Sequence, residues 1–341
     1  MYASIGIDLG TDRTRIFSGE SVVLDLPSVV AVMAHSGEAV AFGEDAEKMI
    51  GKTSEYVNVV SPISRGVIAN YDEADIMLKN YLGRVCGNRM IKPRVLVSMP
   101  GGLTAVQMRS VINAVTDAGG RNVCLVEAPV ALAVGLDIDF TKPYGTVIVD
   151  IGAGTTDIAV LSMGGIAQCL SAKCAGCDFD EAIIKYVRHE HNITIGPRTA
   201  RQIKERIGCV IPRPVEIAMK AKGVHIFSGR PQTFEITANE VCEAVSDVTE
   251  NIISSIRQVL ERTPPELVSD IAKDGVILTG GGALMHGMID KLKEALSTSV
   301  RLIDDPFRTV AKGTGMAMKN FSLLKKENDY RFRALRDLVI E

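Results

Sequence analysis

A chain of 341 residues is too long for one ordinary core and calls for two domains around a cleft. Its 46% hydrophobic and 23% charged residues are globular proportions and exclude a disordered chain. A net charge of −3, with no apolar run near the roughly 18 residues that span a bilayer, argues against a nucleic-acid partner and a membrane span.

The opening Met1-Tyr2-Ala3-Ser4-Ile5-Gly6-Ile7-Asp8 runs straight into a strand and lacks the basic segment of a signal peptide. Strand-like and helix-like segments then alternate, the pattern of an α/β protein. Residues 94–99 (RVLVSM) and 122–127 (NVCLVE) are expected as buried strands, with a helix between them capped by Thr104 and running to about 118. Residues 145–150 (GTVIVD) and 275–278 (GVIL) are further buried strands. One helix is expected over 178–190, with Phe179, Ile183, Ile184 and Val187 on one face. A second covers 238–261 behind the capping box Thr237-x-x-Glu240, and a third covers 308–318 beyond Pro306. The seven cysteines read as reduced thiols. Cys174-Ala175-Gly176-Cys177 lacks the second pair that a zinc site needs.

One motif occurs twice. Ile5-Gly6-Ile7-Asp8-Leu9-Gly10-Thr11-Asp12-Arg13-Thr14 and Ile148-Val149-Asp150-Ile151-Gly152-Ala153-Gly154-Thr155-Thr156 are each an apolar strand, then Asp-x-Gly, then a hydroxyl-rich turn. Asp8 and Asp150 lie 142 positions apart, which suggests duplicated halves facing each other. Glycine lets such a turn approach a phosphate with its N–H groups pointing inward, and threonine hydroxyls add donors. The aspartates repel phosphate and suit Mg²⁺ or its water shell. A single copy could be only a glycine hairpin; two at domain spacing weigh against that. A third glycine run, Leu278-Thr279-Gly280-Gly281-Gly282-Ala283, leads a strand into a helix and is neither a P-loop nor a Rossmann fingerprint.

These three turns, in this order, resemble the actin, Hsp70 and sugar-kinase superfamily. Longer segments narrow the likeness to the MreB family of bacterial actin-like cell-shape proteins. They are Met49 to Thr53, Gly66-Val67-Ile68-Ala69, Lys92-Pro93-Arg94-Val95, Val310 to Met316 and above all Thr263-Pro264-Pro265-Glu266-Leu267-Val268-Ser269-Asp270. The resemblance covers nearly the whole chain. It implies an α/β, actin-like (ribonuclease H-like) duplicated two-domain fold with a nucleotide cleft and four subdomains. Domain I would hold 1–145 and about 318–341, with a small subdomain IB at about 31–63. Domain II would hold 146–317, with IIA at about 146–178 and 248–317 and IIB at about 179–247.

The resemblance further implies ATP and Mg²⁺ in the cleft. Asp8, Gly10, Thr11, Asp12, Arg13 and Thr14 would form one phosphate turn. Asp150, Gly152, Ala153, Gly154, Thr155 and Thr156 would form the other. Arg201, Gln202, Ile203, Lys204 and Glu205 would flank the adenosine, with Gly280, Gly281, Gly282 and Ala283. Mg²⁺ would be held at Asp8 and Asp150, directly or through water. The expected partners are further copies of the chain in paired protofilaments, the inner membrane surface and the cell-wall elongation machinery. The expected location is cytoplasmic, peripheral on the inner face of the cell membrane. Met90 and Ile91, between Arg89 and Lys92, stand where relatives carry a lipid-inserting loop.

The sequence also departs from the family pattern. Asp12-Arg13 replaces Ala-Asn, Ala153 replaces glycine, and Asn70 and Cys177 stand where acidic residues are common. The family's Glu-Glu-Pro becomes Glu127-Ala128-Pro129, so Ala128 stands where a glutamate positions the attacking water. The candidate catalytic residues are Thr155 and Glu127. Either a local bulge re-aims Glu127 into the site, or strand alternation turns it away and leaves Thr155 beside the reacting phosphate, with slow turnover as the favoured expectation. The competing readings are an actin-fold ATPase or small-molecule kinase that does not polymerise, and a chaperone-type ATPase. The first needs a base beside a second substrate pocket, and the second needs a substrate domain.

Overall fold

The computed structural model describes residues 4–87 and 92–318. The chain opens with a meander of β1 (Ser4–Leu9), β2 (Arg13–Ser18) and β3 (Ser21–Pro27). Next come β4 (Val30–Met33), β5 (Ala39–Phe42), α1 (Glu44–Met49) and β6 (Val57–Val60), whose strands form a small separate sheet. The short pair β7 (Ile63–Ser64) and β8 (Val67–Ile68) leads into α2 (Tyr71–Cys86). Then follow β9 (Arg94–Met99), α3 (Ala105–Asp117), β10 (Arg121–Glu127) and α4 (Ala128–Gly135).

The plan then repeats. A second meander, β11 (Thr146–Ile151), β12 (Thr156–Ser162) and β13 (Gly165–Ala172), is followed by α5 (Gly176–Glu190), β14 (Ile193–Thr194) and α6 (Pro197–Ile207). A hairpin, β15 (Ala218–His225) and β16 (Pro231–Thr237), precedes α7 (Ala238–Ala244), α8 (Ser246–Arg262) and α9 (Pro265–Asp274). The described chain closes with β17 (Val276–Thr279), a 3₁₀ turn at Gly281–Leu284, α10 (Met288–Leu296), β18 (Val300–Leu302) and α11 (Thr309–Ala317).

Sheet order shows the duplication. The first sheet runs β10-β9-β1-β2-β3 and the second β18-β17-β11-β12-β13. In each, an antiparallel meander carries two parallel strands on its first strand. The central strands are covered on both faces, so they read as unbroken apolar runs. In β11, Val147, Val149 and Ile151 pack with Phe179, Ile183 and Ile252, while Ile148 faces the opposite core. The first sheet is covered by Met77, Leu78 and Tyr81 of α2 and Met108 and Val111 of α3. A core between the halves joins Leu96, Val126 and Leu132 to Ile148, Ala159, Ile277 and Val310. The helix α11, which the expected boundary at 317 placed in the second half, packs on α4, β1 and β2.

The helix expected over 238–261 is two helices, broken at Val245 (φ −96, ψ 3). Each piece buries its apolar face on a different support. Val241 of α7 packs toward α5, whereas Ile252, Ile253 and Ile256 of α8 cover β12 and β13. One straight rod cannot serve both. Helix α3 ends at Asp117, close to the expected end, and carries a complete capping box between Thr104 and Gln107.

Candidate functional site

The two Asp-x-Gly motifs become matching hairpin turns. The β1–β2 ladder closes at the pair Leu9 and Thr14, and the β11–β12 ladder at Ile151 and Thr156. Residues 10–13 and 152–155 therefore form turns at the same end of equivalent strands. They meet across a cleft of about 470 Å³ between the halves. A Cβ on Gly154 would stand 2.4 Å from Thr11 Oγ1 and 2.9 Å from Arg65 Cα, so only glycine lets the turns approach this closely. The Gly66 N–H donates to Thr11 Oγ1 at 3.0 Å and fixes that hydroxyl in the gap.

Asp8 and Asp150 stand at the ends of β1 and β11, in the cleft wall. Asp8 accepts the Ser98 hydroxyl at 3.0 Å and has Arg15 at 3.8 Å. Burial raises its carboxyl above the usual range, against the pull of Arg15 and Ser98. Asp150 is pushed up to about 8, by burial first and then by repulsion from Asp157 and Asp8. Among the described residues no three His, Cys, Asp or Glu side chains could hold a metal ion on their own. The donors instead fit a hard cation such as Mg²⁺ reached by two carboxylates, largely through water, with phosphate completing its shell. Such a cation would relieve the repulsion that lifts Asp150.

More of the lining comes from α6 and the glycine run. Arg201, Lys204 and Glu205 line the cleft, one turn of helix apart, as do Gly280, Gly281 and Gly282. Gly280 (φ +88) has no room for a side chain, since a Cβ would lie 2.2 Å from the Ile151 carbonyl oxygen and 2.4 Å from Asp150 Oδ1. The glycine run thus packs on the Asp150 turn as well as forming a wall. The helix that follows the strand is a short 3₁₀ turn.

Arg201 and Lys204 of α6 are both engaged. Arg201 reaches Asp12 at 2.6 Å and Glu47 at 3.4 Å, crossing from the second half to the first. Lys204 holds Asp180 at 2.8 Å and donates to the Gly176 carbonyl at 2.7 Å. Arg65 also crosses between the halves, pairing with Asp178 at 3.0 Å and donating to the Lys173 carbonyl. Arg13 pairs with Asp25 at 2.6 Å.

Gly10 to Arg13 and Gly152 to Thr155 line the cleft, together with Asp8 and Asp150. Five of the expected residues do not. Thr14 is buried against Ser28, Oγ to Oγ at 2.8 Å, and the Thr156 hydroxyl donates to the Cys174 carbonyl at 2.7 Å. Ile203 is in the core, Gln202 is exposed, and Ala283 is buried behind the glycine wall. Alternation along a strand and the helical repeat turn these side chains away from their lining neighbours. Glu127 is likewise off the lining and acts on the Cys169 thiol, while Ala128 is in the wall. Met90 and Ile91 lie outside the described residues.

Sequence reasoning missed Arg15, Ser98, Asp157, Asp180 and Phe307, all of which line the cleft. Arg15 and Asp157 are the cross-strand partners of Asp8 and Asp150. Reading two positions beyond the turn, along the same strand face, would have found both.

Comparison with known proteins agrees with this architecture. The family described as MreB/Mbl protein matches residues 2–326. The cell shape-determining protein Mbl of Bacillus subtilis (strain 168) is 40% identical over 329 residues, covering 96% of this chain and 99% of that one. The cell shape-determining protein MreB of Escherichia coli (strain K12) is 38% identical over 322 residues, covering 92% and 93%. The crystal structure of MreB5 of Spiroplasma citri bound to ADP superposes with a TM-score of 0.90 at 32% identity, over 96% of this chain and 99% of that one. A MamK double helical filament, 21% identical with a TM-score of 0.81, shares the fold. With two duplicated sheets, paired phosphate-type turns and these relatives along nearly its full length, the chain belongs to the MreB/Mbl family and has its actin-like fold.

Proposed function

We propose that this protein is an ATP-binding, actin-like cytoskeletal protein that forms membrane-associated filaments and helps determine cell shape by organising cell-wall synthesis. The observation that carries the nucleotide reading is the meeting of two glycine turns, each with its aspartate, across one cleft. Turn N–H groups suit phosphate oxygens, and Asp8 and Asp150 suit hydrated Mg²⁺, which would neutralise the phosphates. Lys204, Glu205, the glycine run and Phe307 together line the space that would take a nucleoside. The Spiroplasma citri relative has been crystallised with ADP and with AMPPNP, which supports the same ligand class here.

Assembly and shape control are supported by kinship with the cell shape-determining proteins. No helix among the described residues is long and apolar enough to cross a membrane, so attachment would be peripheral. Met90 and Ile91 between Arg89 and Lys92 suit an anionic lipid surface, multiplied by the copies in a filament. Replacing both with Ser is expected to abolish co-sedimentation with anionic liposomes and leave nucleotide binding intact; equal lipid binding would reject the loop.

Calorimetry tests the nucleotide reading. Asp150→Ala is expected to weaken Mg²⁺-ATP binding by roughly 1–3 kcal/mol, the scale of a lost charge-assisted contact. Unchanged affinity would remove Asp150 from the site.

A further inference from the structure

Hydrolysis by a cleft of this kind needs a group that orients water in line with the terminal phosphate. Ala128 is in the wall where such a group would stand, and a methyl group neither donates to water nor accepts from it. Thr155 is the hydroxyl-bearing residue of the second turn, and its single proton is already committed. Its Oγ1 donates to Asp157 Oδ2 at 2.9 Å. Asp157 is 5% exposed, and its other oxygen accepts the Gly101 N–H at 3.2 Å from the first half of the molecule. The carboxyl is therefore anchored at both oxygens, with the Thr155 hydroxyl as donor to one of them. Burial pushes it above the usual range, against the pull of hydrogen bonds from Ser171, Thr155 and Gly101.

We propose that Asp157 is a positioning residue for ATP hydrolysis: by taking the Thr155 proton it makes that hydroxyl the acceptor that orients the attacking water, a duty Ala128 cannot perform. The inference rests on the nucleotide reading of the cleft. A hydroxyl whose proton points at Asp157 offers only lone pairs to the cleft, so a water there must donate to it. That leaves the water's own lone pair free to attack. The water oxygen bonds to the terminal phosphorus, the bond to the bridging oxygen breaks, and its electron pair leaves with ADP. The water's proton departs with the released phosphate into solvent.

The competing role for Asp157 is to tie the Pro100–Gly101 segment to the second half. Three measurements on the full-length protein separate the two: affinity for AMPPNP, single-turnover phosphate release, and the Thr155 methyl resonance of the nucleotide-free protein. Asp157→Asn is expected to bind AMPPNP within about threefold of wild type, to release phosphate roughly tenfold more slowly or worse, and to shift the Thr155 methyl signal. Thr155→Val should slow release as much, and the double variant no further, because the two side chains act as one unit. Adding Ala128→Glu to Asp157→Asn should restore release by supplying a second holder of water.

An Asp157→Asn protein with wild-type release, or one that loses binding and release in step, would overturn the positioning role. So would a wild type that binds AMPPNP but never releases phosphate. A wild type that binds no nucleotide overturns the reading beneath it, and the proposal with it. Should Asp157→Asn fail to fold, Thr155→Val alone decides: unchanged release sinks the proposal.

Discussion

Asp150 and Asp157 lie two positions from Asp-x-Gly glycine and turn threonine respectively, yet only the first was legible in the sequence. Asp150 belongs to a motif whose chemistry is local: an acid, a glycine and a hydroxyl in one turn. Asp157 owes its place to the alternation of β12, which sends Thr156 into the interior and the next side chain into the cleft. Glu127 ends β10 and Ala128 opens α4, and only Ala128 lines the cleft. Ala128→Glu is therefore expected to speed phosphate release, and Glu127→Ala to change it little. If Glu127→Ala alone abolishes a brisk wild-type rate, Glu127 acts in the cleft after all. The strained charge of Asp150 has a consequence for stability. Its carboxyl holds a proton more tightly in the folded protein, up to about 8, than in the unfolded chain at the ordinary 3.8. Its contribution is complete below the lower value and is lost as pH rises to the upper one, because there the unfolded state releases the proton first. The melting temperature of nucleotide-free, metal-free protein should fall across this range, and fall less in Asp150→Asn. An identical slope in both would remove Asp150 as the cause.

The elements themselves were largely legible because each long-range partner leaves a local trace. The buried strands at 94–99 and 145–150 are apolar runs because both faces are covered, and α3 starts at its capping box. What failed was the rod over 238–261. Its pattern is helical throughout, and only the packing of α7 on α5 and of α8 on β12 and β13 requires the break at Val245. The capping box that opens α7 is intact, with the Thr237 side chain accepting from the Glu240 N–H at 3.2 Å. Thr237→Ala should cost about 1 kcal/mol in denaturant unfolding. In the turns, the element itself depends on one missing side chain. Gly154→Ala would drive a Cβ to 2.4 Å from Thr11 Oγ1, so the turns must separate. The variant is expected to fold, since Gly154 has a negative φ, but to bind Mg²⁺-ATP more weakly. Wild-type affinity would show that the turns need not meet.

At the scale of the molecule, the two halves are joined by a shared core and by ion pairs between them. Arg201 to Asp12 and Glu47 is one such bridge, and Arg65 to Asp178 a second. The partners lie 189 and 113 positions apart, so no local pattern could announce them. Asp12, read from sequence as a departure in a phosphate turn, turns out to be one end of a clasp. Each pair is partly exposed and worth little alone. Because both join the two halves, they still favour holding the halves together. Asp12→Ala combined with Arg65→Ala is expected to enlarge the radius of gyration by solution scattering and to speed nucleotide exchange. No change in either would make the clasps incidental.

On the proposed reading the cleft and the filament are linked: nucleotide bound between the two turns would license assembly of the chain. Electron microscopy of purified wild type and Asp150→Ala, each with Mg²⁺-ATP and with nucleotide removed, on anionic lipid, tests it most directly. Paired filaments are expected only from wild type with Mg²⁺-ATP. Monomers under every condition, or filaments indifferent to both nucleotide and Asp150, would contradict it.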